Sequence, residues 1–323
     1  MMKDYSNLTN AAILHCFDVP VGVIKEHIKD IVAAGYDGIM LSPVQHCKEG
    51  MENWKLYQPY DFQVGNRLGV YEEIKDLVRE AHIYGLIVIF DVVFRHLAGK
   101  DSGEMEFHNK CDYGIVSNPA LVMNHNGNAW DYTNREQLIN YNCGMPTLNY
   151  YNPELWYRSY LPFTDCLLKD IGGDGLRIDQ MKHLALPEEG CDLLKIIRER
   201  YPEAYIVGEA INLSECDYKL KEKYTKYANL LIDMYDGHWN LNKVMQFVES
   251  HDTYHTFHST TYLSDEERLD KWLLLAKRGS NRLYFTRSNT LNPNEDKTIF
   301  SERMADINWS NKTNKEWLLW MFW

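Results

Sequence analysis

A parallel (β/α)8 TIM barrel of the α/β class, opened by one inserted irregular subdomain after its third strand, is the fold this chain predicts. Three observations point to it. Short apolar runs alternate with amphipathic stretches of helical period, the pattern of β-α units around a parallel sheet. The length of 323 residues admits two average domains or one barrel of about 250 residues plus an insertion. Four apolar runs lead into carboxylates, at Asp91, Asp179, Glu209 and Asp252. A buried charge needs a partner, and the C-terminal ends of barrel strands are where such groups converge.

The elements follow in order. The first strand is expected at 11–16, a helix over 21–34 and the second strand at 38–41. Within 71–84, Ile74, Leu77, Val78 and Ala81 recur at helical spacing, and Gly85 stands where a C-cap glycine belongs. Residues 86–93 form an apolar, β-branched third strand. The rhythm then breaks. From 97 to 151 no period is visible, and Gly, Asn and Asp are frequent. A structureless stretch of that length is foreign to a compact domain, so it reads as a subdomain. The division is barrel residues 1–96, insertion 97–151 and barrel residues 152–323. Alternation resumes where Pro153 can open a helix after an Asn152 cap. Helices to 170 and over 188–200 precede strands at 175–179 and 204–209. Helices over 213–227 and 240–245 precede strands at 229–233 and 246–250. A helix over 265–278 precedes strand eight, 282–285, and residues 314–323 read as the last helix.

Composition narrows the partners. Net charge is −12, which argues against nucleic acid. No apolar run approaches the roughly 20 residues of a membrane span, and residues 1–18 lack a signal-peptide core of sufficient length. Seven cysteines without CxxC spacing argue against a zinc site or a complete disulfide framework, and a cytoplasmic setting is expected. The 22 Tyr and 9 Trp fit either sugar stacking or bulky packing. Oligomeric state is left open.

Four segments hold the chemistry: Asp91-Val92-Val93-Phe94-Arg95-His96, Gly175-Leu176-Arg177-Ile178-Asp179-Gln180-Met181-Lys182-His183, Val207-Gly208-Glu209 and Phe247-Val248-Glu249-Ser250-His251-Asp252. In this order they resemble the signature regions of the α-amylase family, glycoside hydrolase family 13. Met145-Pro146-Thr147-Leu148-Asn149 resembles a fifth region, with Thr147 where the family has Asp. The resemblance runs from about residue 11 to the C-terminus.

The resemblance implies retaining hydrolysis of α-1,4-glucosidic bonds in starch, glycogen or maltodextrins. Asp179 would be the nucleophile, Glu209 the general acid and then base, and Asp252 the acid that orients the sugar. Arg177 would hold the Asp179 pKa down, with Asp91 supporting Arg177, whereas Glu209 needs a raised pKa. His96, Lys182, His183 and His251 would bond sugar hydroxyls. The segment 53–61 resembles an aromatic loop of animal-type amylases. Trp54 and Tyr57 would stack on glucose and Gln58 bond a hydroxyl, with core packing the alternative. The same chemistry could serve a 4-α-glucanotransferase, and a non-catalytic or truncated amylase-like barrel is the reading of another class.

The resemblance also bears on ions. Arg95 stands where the family has a calcium-ligating Asn, and a guanidinium cannot ligate a cation. Calcium is therefore not expected at that position. Arg95 would pair with Asp112 or Asp131 instead, or swing outward. Arg287 stands roughly where chloride-dependent members have a basic ligand, but Ser250 replaces their Asn, so chloride is not expected. No cofactor is expected. The resemblance would place a β-sandwich after the barrel, and a member lacking that domain, or a truncated sequence, is the expectation for a chain that stops at Trp323.

Overall fold

The computed structural model describes residues 8, 10–100, 106–123, 127–210, 218–234, 243–255 and 264–285. Its centre is a closed barrel of eight parallel strands in chain order. These are β1 (Ala12–Cys16), β2 (Gly38–Leu41), β3 (Ile87–Val92), β4 (Gly175–Ile178), β5 (Tyr205–Glu209), β6 (Leu230–Met234), β7 (Val244–Phe247) and β8 (Asn281–Phe285). β8 closes on β1, with Ala12 opposite Arg282 and His15 opposite Phe285. Asp91 of β3 lies opposite Arg177 of β4, and Arg177 opposite Val207 of β5. That register sets the charged ends of neighbouring strands level with one another.

The helix Tyr71–Ile83 buries Ile74, Leu77, Val78 and Ala81, the four positions its period selects. Glu73 closes its first turn by accepting the Val70 N–H at 2.9 Å. Gly85 follows with φ +81°. The segment 153–170 is helical throughout, with wide-turn stretches at Trp156–Tyr160 and Cys166–Asp170. Asn152 caps it through the Glu154 N–H at 2.9 Å, and Pro153 takes the first position.

Several elements differ from expectation. The first helical segment splits into Val21–Glu26 and Ile28–Ala33 at His27, where φ reaches −102°. Pro187–Glu189 forms a separate 3-10 turn, and the following helix starts only at Leu193. Val244 and Met245, expected to end a helix, are the first residues of β7. Both are β-compatible apolar residues buried in the barrel wall, and burial there outweighs local propensity. Of the helix expected over 213–227, residues 213–217 lie outside the described residues, Tyr218–Tyr224 is helical and 225–227 is a turn. The last expected helix, 314–323, and Arg287 lie outside the described residues.

After β2 the chain forms a small antiparallel sheet of Gln45–Cys47 and Pro59–Val64, with the 3-10 turn Asn53–Tyr57 between them. Gln45 is fully buried, and its amide accepts the Val93 N–H at 2.8 Å and donates to the Val93 carbonyl at 3.2 Å. That pair fastens the hairpin to the end of β3. Between β3 and Asn152 lie the short helices Tyr113–Val116 and Arg135–Asn140. Isolated bridges join His96 to Thr147 and Val122 to Leu148. Leu121, Val122, Leu148 and Tyr150 from this stretch belong to the same buried cluster as the barrel strands. The six described cysteines are thiols. Among the described residues no helix is long and apolar enough to cross a membrane.

Candidate active site

A cleft of about 470 Å³ opens at the C-terminal ends of the strands. Asp179 follows β4, Glu209 ends β5, and His251 and Asp252 follow β7; all four line it. Phe17 follows β1 and His96 follows β3. The hairpin after β2 contributes Asn53, Trp54, Tyr57 and Gln58, and the stretch before Asn152 contributes Met145. Gln180 completes the lining.

Arg177 organises the carboxylates from below. Its Nη1 donates to both Asp91 oxygens at 2.8 Å and to Asp179 Oδ1 at 2.8 Å. Its Nη2 lies 3.0 Å from Glu209 Oε2. The Arg177 and Asp91 side chains are 2% and 0% exposed, so this guanidinium faces carboxylates and not the cleft. One planar fork thus ties the ends of β3, β4 and β5 together. Tyr57 adds a fourth contact, its hydroxyl donating to Asp91 Oδ2 at 2.8 Å. Asp252 stands apart, its side chain 49% exposed and 3.5 Å from His251 Nε2.

The electrostatics invert the expectation drawn from the motif. Burial pushes the Asp179 carboxyl well up, and Arg177 does not offset it, because Glu209 and Asp91 add their own charges. At Glu209 burial also works upward, but Arg177 and the Gln180 N–H, which donates to Oε2 at 2.7 Å, hold it down to about 2. The physical reason is that one cation is divided among three carboxylates, of which Asp91 and Asp179 are buried and Glu209 partly so. In this resting arrangement Glu209 has the share that the motif assigned to Asp179.

Aromatic rings form the opposite wall. His251 lies parallel to Phe17 at 4.5 Å and to Tyr57 at 5.4 Å. Trp54 is 42% exposed, with the Lys48 and Lys55 ammonium groups over its ring at 5.7 and 5.5 Å. His96 donates from Nε2 to the Tyr57 carbonyl at 2.8 Å, which fixes the height of the Tyr57 turn. Burial lowers the His96 pKa to about 4 and the His183 pKa to about 3.

Not every selected residue reaches the cleft. His183 is buried, with Nδ1 3.2 Å from Cys143 Sγ and 3.1 Å from the Leu138 carbonyl. Lys182 is half-buried outside the lining, and its carbonyl accepts from Arg135 at 2.5 Å. Sequence reasoning passed over Phe17, Asn53, Met145 and Gln180. Phe17 and Gln180 carry a positional signal, since each falls within two residues after a strand, where barrels place their site residues. Asn53 and Met145 open the two segments that resemble the aromatic loop and the fifth region, and that was their only signal.

Arg95 corrects another expectation. It is fully buried and pairs with neither Asp112 nor Asp131. Its guanidinium donates to the Tyr141 carbonyl at 2.8 Å, reaches Met123 Sδ at 3.6 Å and lies 4.7 Å from the Tyr150 ring centre. Asp112 instead caps its own helix, and Asp131 binds Thr133. Short acidic side chains in turns satisfy the nearest backbone N–H first.

A parallel barrel with carboxyl groups gathered at consecutive strand ends, under an aromatic-walled cleft, has the arrangement of a site at the C-terminal face of a barrel. The comparisons with known proteins carry this further. Residues 21–268 match the family model for the α-amylase catalytic domain, and the chain belongs to the α-amylase family. An α-amylase of Clostridium acetobutylicum is 30% identical over 316 residues, covering 87% of this chain and 40% of that protein. An α-amylase of Butyrivibrio fibrisolvens is 24% identical over 308 residues, covering 83% and 31%. The chain thus spans less than half the length of these two relatives. Among solved structures, α-amylase of Geobacillus thermoleovorans, complexed with acarbose, superposes with a TM-score of 0.74 at 14% identity, covering 99% of this chain and 80% of that one. A variant of α-amylase I from Eisenia fetida, complexed with maltohexaose, gives 0.72 at 17% identity, covering 86% and 67%. At such identities the likeness concerns the fold.

Proposed function

We propose that this chain carries out retaining hydrolysis of α-1,4-glucosidic bonds in starch, glycogen or maltodextrins. The observation that supports it most directly is the single guanidinium of Arg177 shared by Asp179 and Glu209 at the mouth of the barrel. Retaining glycosidases place two carboxyl groups about 5–5.5 Å apart, a span that one guanidinium bridges. Asp179 attacks the anomeric carbon and forms a covalent glycosyl-enzyme, while Glu209 protonates the departing oxygen. Glu209 then takes a proton from water, which releases product with its configuration retained. Asp252 and His251 bond hydroxyls of the reacting sugar, and Trp54, Tyr57 and Gln58 hold the chain along the aromatic wall.

The resting ion pair adds one requirement. Glu209 must leave Arg177 and the Gln180 N–H before it carries a proton. Freed of that cation and still buried, its carboxyl rises into the range an acid needs. Asp179 then has Arg177 shared with Asp91 alone, which favours its ionised form.

No calcium is assigned to the position of Arg95. A cation-binding site needs oxygen ligands free to face the ion, and here a fixed positive group already occupies the Tyr141 carbonyl.

Soluble-starch hydrolysis by wild type and by Glu209→Gln, each with and without calcium, tests the reading. Wild type is expected to release reducing sugar and Glu209→Gln to release almost none. Longer products from maltoheptaose with little reducing sugar would replace hydrolysis by glycosyl transfer.

A further inference from the structure

We propose that Gln180 is a further substrate-binding residue of the cleft, its side-chain amide oxygen accepting a hydroxyl of the sugar that lies beside Asp179 and Glu209. The inference rests on the reading of the cleft as a glucan site. Gln180 immediately follows Asp179 and lines the cleft. Its Oε1 is buried and has no hydrogen-bond partner. A buried acceptor left unpaired costs more than a hydrogen bond returns, so its place at a ligand cleft calls for a donor. Gln58 Oε1, on the opposite wall, is buried and unpaired in the same way. Both residues line a cleft that also holds Asp179, Glu209 and Asp252, so neutral hydroxyl groups suit their amides and anions do not.

The backbone of Gln180 is built to hold that position. Its φ is +49°, one of three positive values among described non-glycine residues, and a side chain tolerates this region only where surroundings impose it. The imposing contact is the next residue. Met181 packs over Gly208 so closely that a Cβ there would meet the sulfur at 2.1 Å. The turn after β4 is therefore pressed onto β5, one residue before Glu209. In this conformation the Gln180 N–H reaches Glu209 at 2.7 Å, while the side chain is left on the cleft wall. One residue thus touches Glu209 through its backbone and offers a separate acceptor to the substrate.

The test compares maltoheptaose binding by calorimetry in an Asp179→Asn background, where nothing turns over, with and without Gln180→Met, alongside kcat/KM for the single Gln180→Met and Gln180→Ala variants. Methionine keeps the length and removes only the amide, so folding is preserved and is checked by Tm. Loss of one neutral hydrogen bond is expected to weaken binding about tenfold, with Tm unchanged. Binding within twofold of the background at unchanged Tm overturns the role of Gln180 and leaves the glucan reading intact. A drop in Tm with unchanged binding also overturns it, since it makes Gln180 structural. Absence of maltoheptaose binding in the Asp179→Asn background itself, together with no starch hydrolysis by wild type, overturns the glucan reading and this inference with it.

Discussion

Arg177 is the residue on which the site turns, because removing or shortening it leaves Asp91, Asp179 and Glu209 without the cation they share. The two reacting carboxylates are the sharpest test of mechanism. Asp179→Asn replaces the nucleophile with a neutral amide, and kcat is expected to fall by several orders of magnitude with little change in Tm. Two buried imidazoles give a second test. Burial holds His96 down to about 4 and His183 to about 3, against a usual 6.5. The unfolded chain therefore binds protons that the folded chain refuses. The stability they contribute is present above pH 6.5 and is lost as pH falls toward 4 and then 3. Thermal unfolding across that window should show Tm declining with acid. His96→Gln, which keeps a donor for the Tyr57 carbonyl, should flatten the upper part of the slope. Most single residues of the site were legible because they sit in short ordered motifs. Their pKa relations were not. The motif gave Arg177 to Asp179, whereas three strands in register divide it among three acids.

At the scale of elements, the helix Tyr71–Ile83 shows what periodicity conveys, since its four buried positions are the four its spacing selects. Leu77 is fully buried, and Leu77→Ala is expected to cost about 2–5 kcal/mol, read from denaturant unfolding. Val244 and Met245 show the opposite case. Two apolar residues between polar neighbours carry no period, and only their place in the barrel wall makes them strand. The tie between β3 and the stretch that follows rests on Arg95. Arg95→Asn removes its bond to the Tyr141 carbonyl and its contact with Tyr150, and Tm is expected to fall. EDTA should leave the wild-type Tm unchanged. A strong loss of Tm with EDTA, restored by calcium, would show that an ion holds this tie.

For the molecule as a whole, the hairpin after β2 supplies one wall of the cleft and the barrel supplies the floor. Trp54, half exposed at the rim, is expected to add about 1 kcal/mol to oligosaccharide binding. Trp54→Ala should raise the Kd for maltoheptaose several-fold without lowering Tm.

The sequence by itself determined the barrel, the order of its strands and the strand ends that hold the acids, because hydrophobic period and strand-end motifs are local properties of the chain. It also singled out Arg95 as the departure that matters. Tertiary structure alone decided which groups share a charge, which histidines reach the cleft and where Arg95 finds its partners. Those outcomes depend on register between strands far apart in sequence and on burial that no segment sets for itself. Gln180 shows the division at one residue. Its place after a strand was readable, but its left-handed backbone and unpaired oxygen arise from Met181 resting on Gly208 of the neighbouring strand.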